Sequence, residues 1–357
     1  MLFLLSPAKS LDYDTPLPEG LPHTRPAFVP EAARLIEVLQ TRRFEYKGAW
    51  YPLSPSGIDQ IVRELSALSL AEGLLAANER LYGKLALGIT ITEFMPDGKK
   101  HQPTIHVIDW TDPTANRWEV TEELEVLSTQ GTHHRIPDVV GYVNGLPLVA
   151  IEAKRPESGH DGKAMVEEGV SQHLRNQRPD EIPPLFAYAQ LLLAISHVDG
   201  RYGTTHTAAK FWARWREEEF DEAHFSRIKN QPLPFATRAA LFEGKPAKVR
   251  AYFEALWAQP MLPTDQDRLL TSLLTPARLL EFLRGFVLFD RRVGKIVVRY
   301  QQFFGIRALL ARIHRLRPDG GREGGVVWHT TGSGKSFTMV FLSKALLLDP
   351  ALAECRV

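Results

Sequence analysis

The chain has 357 residues, 43 Lys+Arg against 42 Asp+Glu for a net charge of +1, 44% hydrophobic residues, 24% charged residues and one cysteine. This composition excludes disorder along most of the chain, and the lone Cys355 excludes an intramolecular disulfide and any cysteine-based zinc cluster. No apolar run is long enough for a transmembrane helix, and the apolar start at residues 1–6 is too short for a signal-peptide core, so a cytoplasmic location is expected. The near-neutral balance means that any DNA-binding surface must come from local patches.

In chain order, residues 2–6 read as a strand and 7–30 as a Pro/Gly/Asp-rich stretch. Pro30 opens a helix over 31–40, with Ala32, Leu35, Ile36 and Leu39 at helical spacing. Helices follow over 57–67, capped by Ser56, and over 70–82. Strand character dominates 87–94, 104–109, 118–127, 138–143 and Leu146–Lys154. A helix is expected over Gly162–Asn176 and a strand over 187–196. Residues 208–255 read as charged helices, and 269–287 and 294–316 as more apolar ones. A Gly-rich loop at 317–325, a short buried strand at 325–329 and a helix over Lys335–Leu348 close the series. No internal repeat or low-complexity tract is visible.

Two segments carry chemistry. In the first, Asn144-Gly145 between two apolar runs signals a hairpin, because both turn positions require positive φ. Period-2 alternation then puts Glu152 and Lys154 on one face, with Ile151 and Ala153 directed into a core on the other. Asp138, at the start of the first strand, comes near the end of the second. Two carboxylates and a lysine therefore converge. A hard cation such as Mg²⁺ would compensate the paired carboxylates and activate water at a phosphate, while Lys154 steadies developing charge. A surface hairpin with an ordinary Glu/Lys pair is the plainer alternative.

Arg135-Ile-Pro-Asp138 through Ile151-Glu152-Ala-Lys154 resembles the PD-(D/E)xK nuclease domain of the motor (R) subunit of type I restriction endonucleases. The likeness runs from about residue 56 to 357 and includes Asn78-Glu-Arg-Leu-Tyr82, Val107-Ile-Asp-Trp110 and Arg201-Tyr-Gly203. It implies a mixed sheet flanked by helices, with Asp138, Glu152 and Lys154 catalytic and the two acids holding Mg²⁺. It also implies double-stranded DNA as substrate, and modification and specificity subunits as partners. The family often carries Gln-x-x-x-Tyr on the following helix. Gln172 occupies the glutamine position, and Asn176 replaces the tyrosine. The polar run at 172–178 is either a DNA-phosphate contact or a solvated face.

The second segment, Gly324-Gly-Val-Val-Trp-His-Thr-Thr-Gly332-Ser-Gly334-Lys335-Ser336, reads as strand, phosphate-binding turn and helix start. Thr331, Gly332, Ser333 and Gly334 would form the turn, with Lys335 on the β/γ-phosphates of ATP and Ser336 on Mg²⁺. His329 stands where the strict pattern has Gly, a departure that superfamily-2 helicases tolerate. In the resemblance, a preceding glutamine reads adenine: Gln302, or alternatively Gln301. Asp221-Glu-Ala-His224 spells a helicase box but lies upstream and in a charged helix, so it reads as coincidence. His133, His134 and His160 read as polar loop residues.

Residues 1–42 resemble the start of the YaaA-type peroxide-stress proteins. A chimeric reading frame is therefore expected, with a YaaA-like segment at 1–45 that does not form an independent domain, a nuclease domain at 46–245, a helical linker at 246–316 and the incomplete start of a RecA-like ATPase at 317–357. The nuclease domain's first helix, which often brings another acid, would be replaced; Glu72 and Glu79 are weak substitutes. With no Walker B acid after the loop, ATP hydrolysis and translocation are not expected of this chain alone. The competing readings are a catalytically inactive DNA-binding remnant and a peroxide-stress protein.

Overall fold

In a computed structural model, residues 4–5, 32–155, 162–218, 221–328 and 334–352 are described. The centre is a mixed six-stranded sheet. Its strands are β1 (Leu4–Leu5), β2 (Trp118–Glu122), β3 (Val139–Val143), β4 (Leu146–Lys154), β5 (Leu191–Ser196) and β6 (Asp199–Gly203), side by side in the order β1-β2-β3-β4-β5-β6. β1–β2 and β4–β5 are parallel pairs, and the other neighbours run antiparallel. Leu148 to Ile151 and the whole of β5 are buried, as befits strands covered on both faces.

The β3–β4 turn forms as expected, with Asn144 at φ 55° and Gly145 at φ 78°. Asn144 is fully buried, and its side-chain amide donates to Val107 O and Asn116 Oδ1. The turn is thus fixed by its side chain as well as its backbone. A register shift lies at Gly141/Tyr142, shortly before the turn.

Helices α1 (Ala32–Thr41), α2 (Pro55–Ser66) and α3 (Leu74–Leu87) precede the sheet's centre. Ser54 caps α2, two residues earlier than the expected Ser56. The crossover between β4 and β5 contains α4 (Gly162–Asn176) and α5 (Pro183–Tyr188). After β6 come α6 (Glu222–Lys229), α7 (Phe235–Phe242), α8 (Ala247–Trp257), α9 (Asp265–Leu274), α10 (Pro276–Gly285), α11 (Tyr300–His314) and α12 (Lys335–Leu348). α4 packs on β4 and β5, over the face that carries Glu152 and Ala194. α9 packs on the opposite face, where a Cβ at Gly200 would meet Leu269.

Several expectations are corrected. Residues 183–188 form α5, and only Leu191–Ser196 is strand, because Pro183 and Pro184 open a helical turn. The apolar stretch expected as two helices contains a hairpin, Val287–Asp290 paired with Gly294–Val297. Of 87–94, 104–109 and 118–127, only short pieces are strand. The strand expected at 325–329 is absent over its described residues: Val326 and Trp328 are 93% and 89% exposed, and no described strand pairs with them. A strand without a neighbour has no ladder to satisfy its amides. His329, Thr331, Gly332 and Ser333, like His160 and Cys355, lie outside the described residues.

Candidate functional site

β3 and β4 bring the acidic residues together. Val139 pairs with Ile151, which leaves Asp138 in register to face Glu152. Asp138 is held there by main chain: its Oδ2 accepts the Ala153 N–H at 2.7 Å, and its carbonyl accepts the Glu123 N–H. Ala153 itself is exposed, which corrects the expectation that it enters a core. Its position near the strand's end lies past the cover that buries Ile151.

Glu152 is 4% exposed. Burial, reinforced by the neighbouring Asp138 carboxylate, pushes its acid up to about 8; Lys154 opposes the shift. Lys154 Nζ lies 3.9 Å from Glu152 Oε2 and 4.0 Å from Glu168 Oε1 on α4. The helix comes this close because residue 169 is glycine. A Cβ there would stand 3.2 Å from Ala194 Cβ and 3.5 Å from Glu152 Cβ.

Gln172 sits one helical turn beyond Glu168, on the same side of α4. Its Oε1 is buried with no hydrogen-bond donor. The neighbouring run does not form one solvated face. His173 is fully buried, stacked on Trp212 and bonded through Nε2 to Leu193 O, and Asn176 is buried too. Burial pulls the imidazole down to about 4, so His173 is neutral near pH 7.

Sequence reasoning missed the residues that support this site. Glu181 is bonded by Arg135 through two contacts of 2.6 and 2.7 Å and by His133 Nε2 at 3.0 Å. This cluster anchors the segment leading into Asp138. Arg135 stood in the quoted motif, but its partner is far along the chain. Glu168 and Gly169 had a local signal, the i,i+4 spacing to Gln172 and a glycine inside a helix. Glu72 pairs with Arg80, and Glu79 is exposed on α3. Asp221 caps α6 by accepting the His224 N–H, which accounts for that box without a metal.

The second region centres on the start of α12. Gly334 is its N-cap residue, and Lys335 and Ser336 are exposed in its first turn. Gln302 on α11 is buried. Its Oε1 accepts the Arg299 N–H, and its Nε2 donates to Gly334 O at 3.0 Å. The side chain therefore ties α11 to the start of α12. Gln301 is exposed beside it.

Comparisons with known proteins match two stretches of the chain. The family model described as type I restriction enzyme R protein N terminus matches residues 10–211, and that of the SWI2/SNF2 ATPase matches 301–357. The type I restriction enzyme HindI endonuclease subunit of Haemophilus influenzae is 29% identical over 308 residues, 84% of this chain and 25% of its own. The putative MjaIXP endonuclease subunit of Methanocaldococcus jannaschii is 27% identical over 278 residues, 76% of this chain and 24% of its own. The chain thus spans about a quarter of the length of these relatives. A UPF0246 protein of Paracidovorax citrulli is 71% identical over 42 residues, 12% of this chain and 16% of its own. With more than half of its residues matched by the first family model, the chain belongs to the type I restriction enzyme R protein N-terminal family.

Proposed function

We propose that Asp138, Glu152 and Lys154 form a Mg²⁺-dependent endonuclease site acting on double-stranded DNA. The observation that supports this most is the acid pair itself: Glu152 is buried against Asp138 and held at about 8. Carboxyl oxygens so placed are hard donors in a site that disfavours two negative charges, which fits a divalent cation. Asp138 and Glu152 would hold the ion. When bound, it would polarise a phosphate oxygen and lower the pKa of a water.

The chain's own residues do the rest. The Ala153 amide fixes the Asp138 carboxylate, and Glu152 surrenders its proton as the cation enters. Lys154 offsets charge that develops on the phosphate. Gln172, with a buried carbonyl lacking a donor, is positioned to orient a polar group on the α4 side.

For the C-terminal segment, the exposed Lys335 and Ser336 at a helix N-terminus suit the phosphates of Mg²⁺-ATP. In a longer assembly, modification and specificity subunits would supply sequence recognition. The name of the Haemophilus relative, an endonuclease subunit, is consistent with that division of labour.

The test is cleavage of supercoiled plasmid by the purified chain with Mg²⁺, beside Asp138→Ala and Lys154→Ala. Nicking that both substitutions abolish supports the reading. Nicking that survives both rejects the site. A folded parent that binds Mg²⁺ without cutting favours a metal-binding remnant.

A further inference from the structure

A cavity of about 270 Å³ lies away from both regions. Arg42, Arg43, His106, Asp109, Trp110 and Arg284 line it. Three separate elements meet here: the residues after α1, the segment following Thr104–Ile105, and the end of α10. Val107 O, which accepts from both Arg42 and Asn144, places the cavity beside the β3–β4 turn. The acidic pair is at the other end of that hairpin, about 20 Å away at the usual rise per strand residue.

The charges here do not balance. Arg42 reaches Asp109 only at 4.0 Å and otherwise bonds Val107 O and Asn116 Oδ1. Asp109 is already engaged, since its Oδ1 accepts the N–H groups of Thr111 and Asp112. Neither Arg43 nor Arg284 has an acidic partner among the described residues. The Nε atoms of Arg42 and Arg284 are both buried with no acceptor. A buried guanidinium N–H without an acceptor is costly, and both side chains line this one cavity together with Arg43.

We infer that this cavity is a phosphate-binding site, formed by Arg42, Arg43 and Arg284 with His106 beside them. Guanidinium groups match phosphate oxygens in paired, planar geometry. The phosphate belongs either to a DNA backbone passing the nuclease domain or to a small free phosphate ligand. His106 faces Arg284 from α10 and Asp109 from its own segment, with Arg42 and Arg43 across the cavity. Burial and Arg284 hold its pKa below the usual histidine value. A bound phosphodiester, whose charge is constant in this range, would reverse that and favour the imidazolium, so duplex binding should strengthen as pH falls from 8 toward 6.

Two metal-free titrations of the full chain test the site, so neither depends on cleavage. In the first, inorganic phosphate is added and the melting temperature is followed. In the second, a short duplex oligonucleotide is bound and followed by fluorescence anisotropy. The variants are Arg284→Gln and Arg43→Gln, with Arg284→Lys as the conservative control. Arg42 is left alone because it bonds main chain.

A melting increment with phosphate that Arg284→Gln loses and Arg284→Lys partly keeps supports a free-phosphate site. A tenfold loss of duplex affinity in Arg284→Gln and Arg43→Gln supports a DNA-backbone site. Without anion, Arg284→Gln should melt no lower than the parent, since it removes an unpaired cation. The inference is overturned if neither ligand responds to the variants, or if Arg284→Gln simply unfolds the chain.

Discussion

Lys344 on α12 donates to the hydroxyl of Tyr82 on α3 at 2.7 Å and to Val287 O at 2.8 Å. Tyr82 passes the contact on to Leu283 O and Arg284 O. The helix that starts at Lys335 is thereby fastened to a helix of the N-terminal region. Burial pulls the Lys344 ammonium down to about 8.

That shift has a defined consequence for stability. Between pH 8 and the unfolded value of 10.5, the unfolded chain holds more protons at this residue than the folded chain. Stability contributed by Lys344 therefore rises with pH across that window. Lys344→Met should remove the rise, and at pH 7 it should differ from the parent by no more than about 2 kcal/mol, since it removes a buried charge as well as two hydrogen bonds. Urea unfolding at several pH values checks this.

Gly169 is the close-approach residue of α4. Gly169→Val would push its side chain into Ala194 and Glu152. A loss of about 1–3 kcal/mol is expected from overpacking. The helix would also lift Glu168 and Gln172 away from Lys154, so plasmid nicking should fall more than stability alone explains. Activity measured well below the variant's melting temperature separates the two effects.

Glu181 holds Arg135 and His133, and these contacts hold its carboxyl down at about 2. The folded value is depressed, so the contribution is present above the unfolded carboxylate range and is lost as pH falls toward 2. Glu181→Gln should cost about 1–3 kcal/mol at pH 7, because Arg135 loses a charged acceptor. The acid limb of the stability profile should flatten in the same variant. Thermal melts from pH 3 to 7 would show both.

The sequence was most readable where one short segment contained its own explanation. Asn144-Gly145 dictated the turn, period 2 put Glu152 and Lys154 under α4, and Gly162–Asn176 kept its helical bounds. Reading failed where partners are remote. The hairpin ending at Val297 looked helical because short apolar runs carry no decisive period. Its Lys295 is buried and bonded to Asn78 and Gln190, one far upstream on α3 and the other just before β5. No local pattern announces such a residue. The segment at Val326–Trp328 has strand composition but no neighbour to pair with among the described residues.

Glu152 offers the sharpest test because its function and its stability effect have opposite signs. With a folded value of about 8 against an ordinary carboxyl of 4.5, the folded chain holds the extra proton between those limits. The stability it contributes is complete below pH 4.5 and is lost as pH rises through 8. Glu152→Gln, neutral at every pH, should therefore be more stable than the parent above pH 8, by on the order of 2 kcal/mol. The same variant should lose Mg²⁺ binding. In the parent, Mg²⁺ must displace the proton, so affinity should climb up to tenfold per pH unit below 8 and level off above it, with about one proton released per ion bound. Calorimetry in buffers of different ionisation enthalpy counts that proton directly. A pH-independent affinity would show that the acid pair is not where the cation binds.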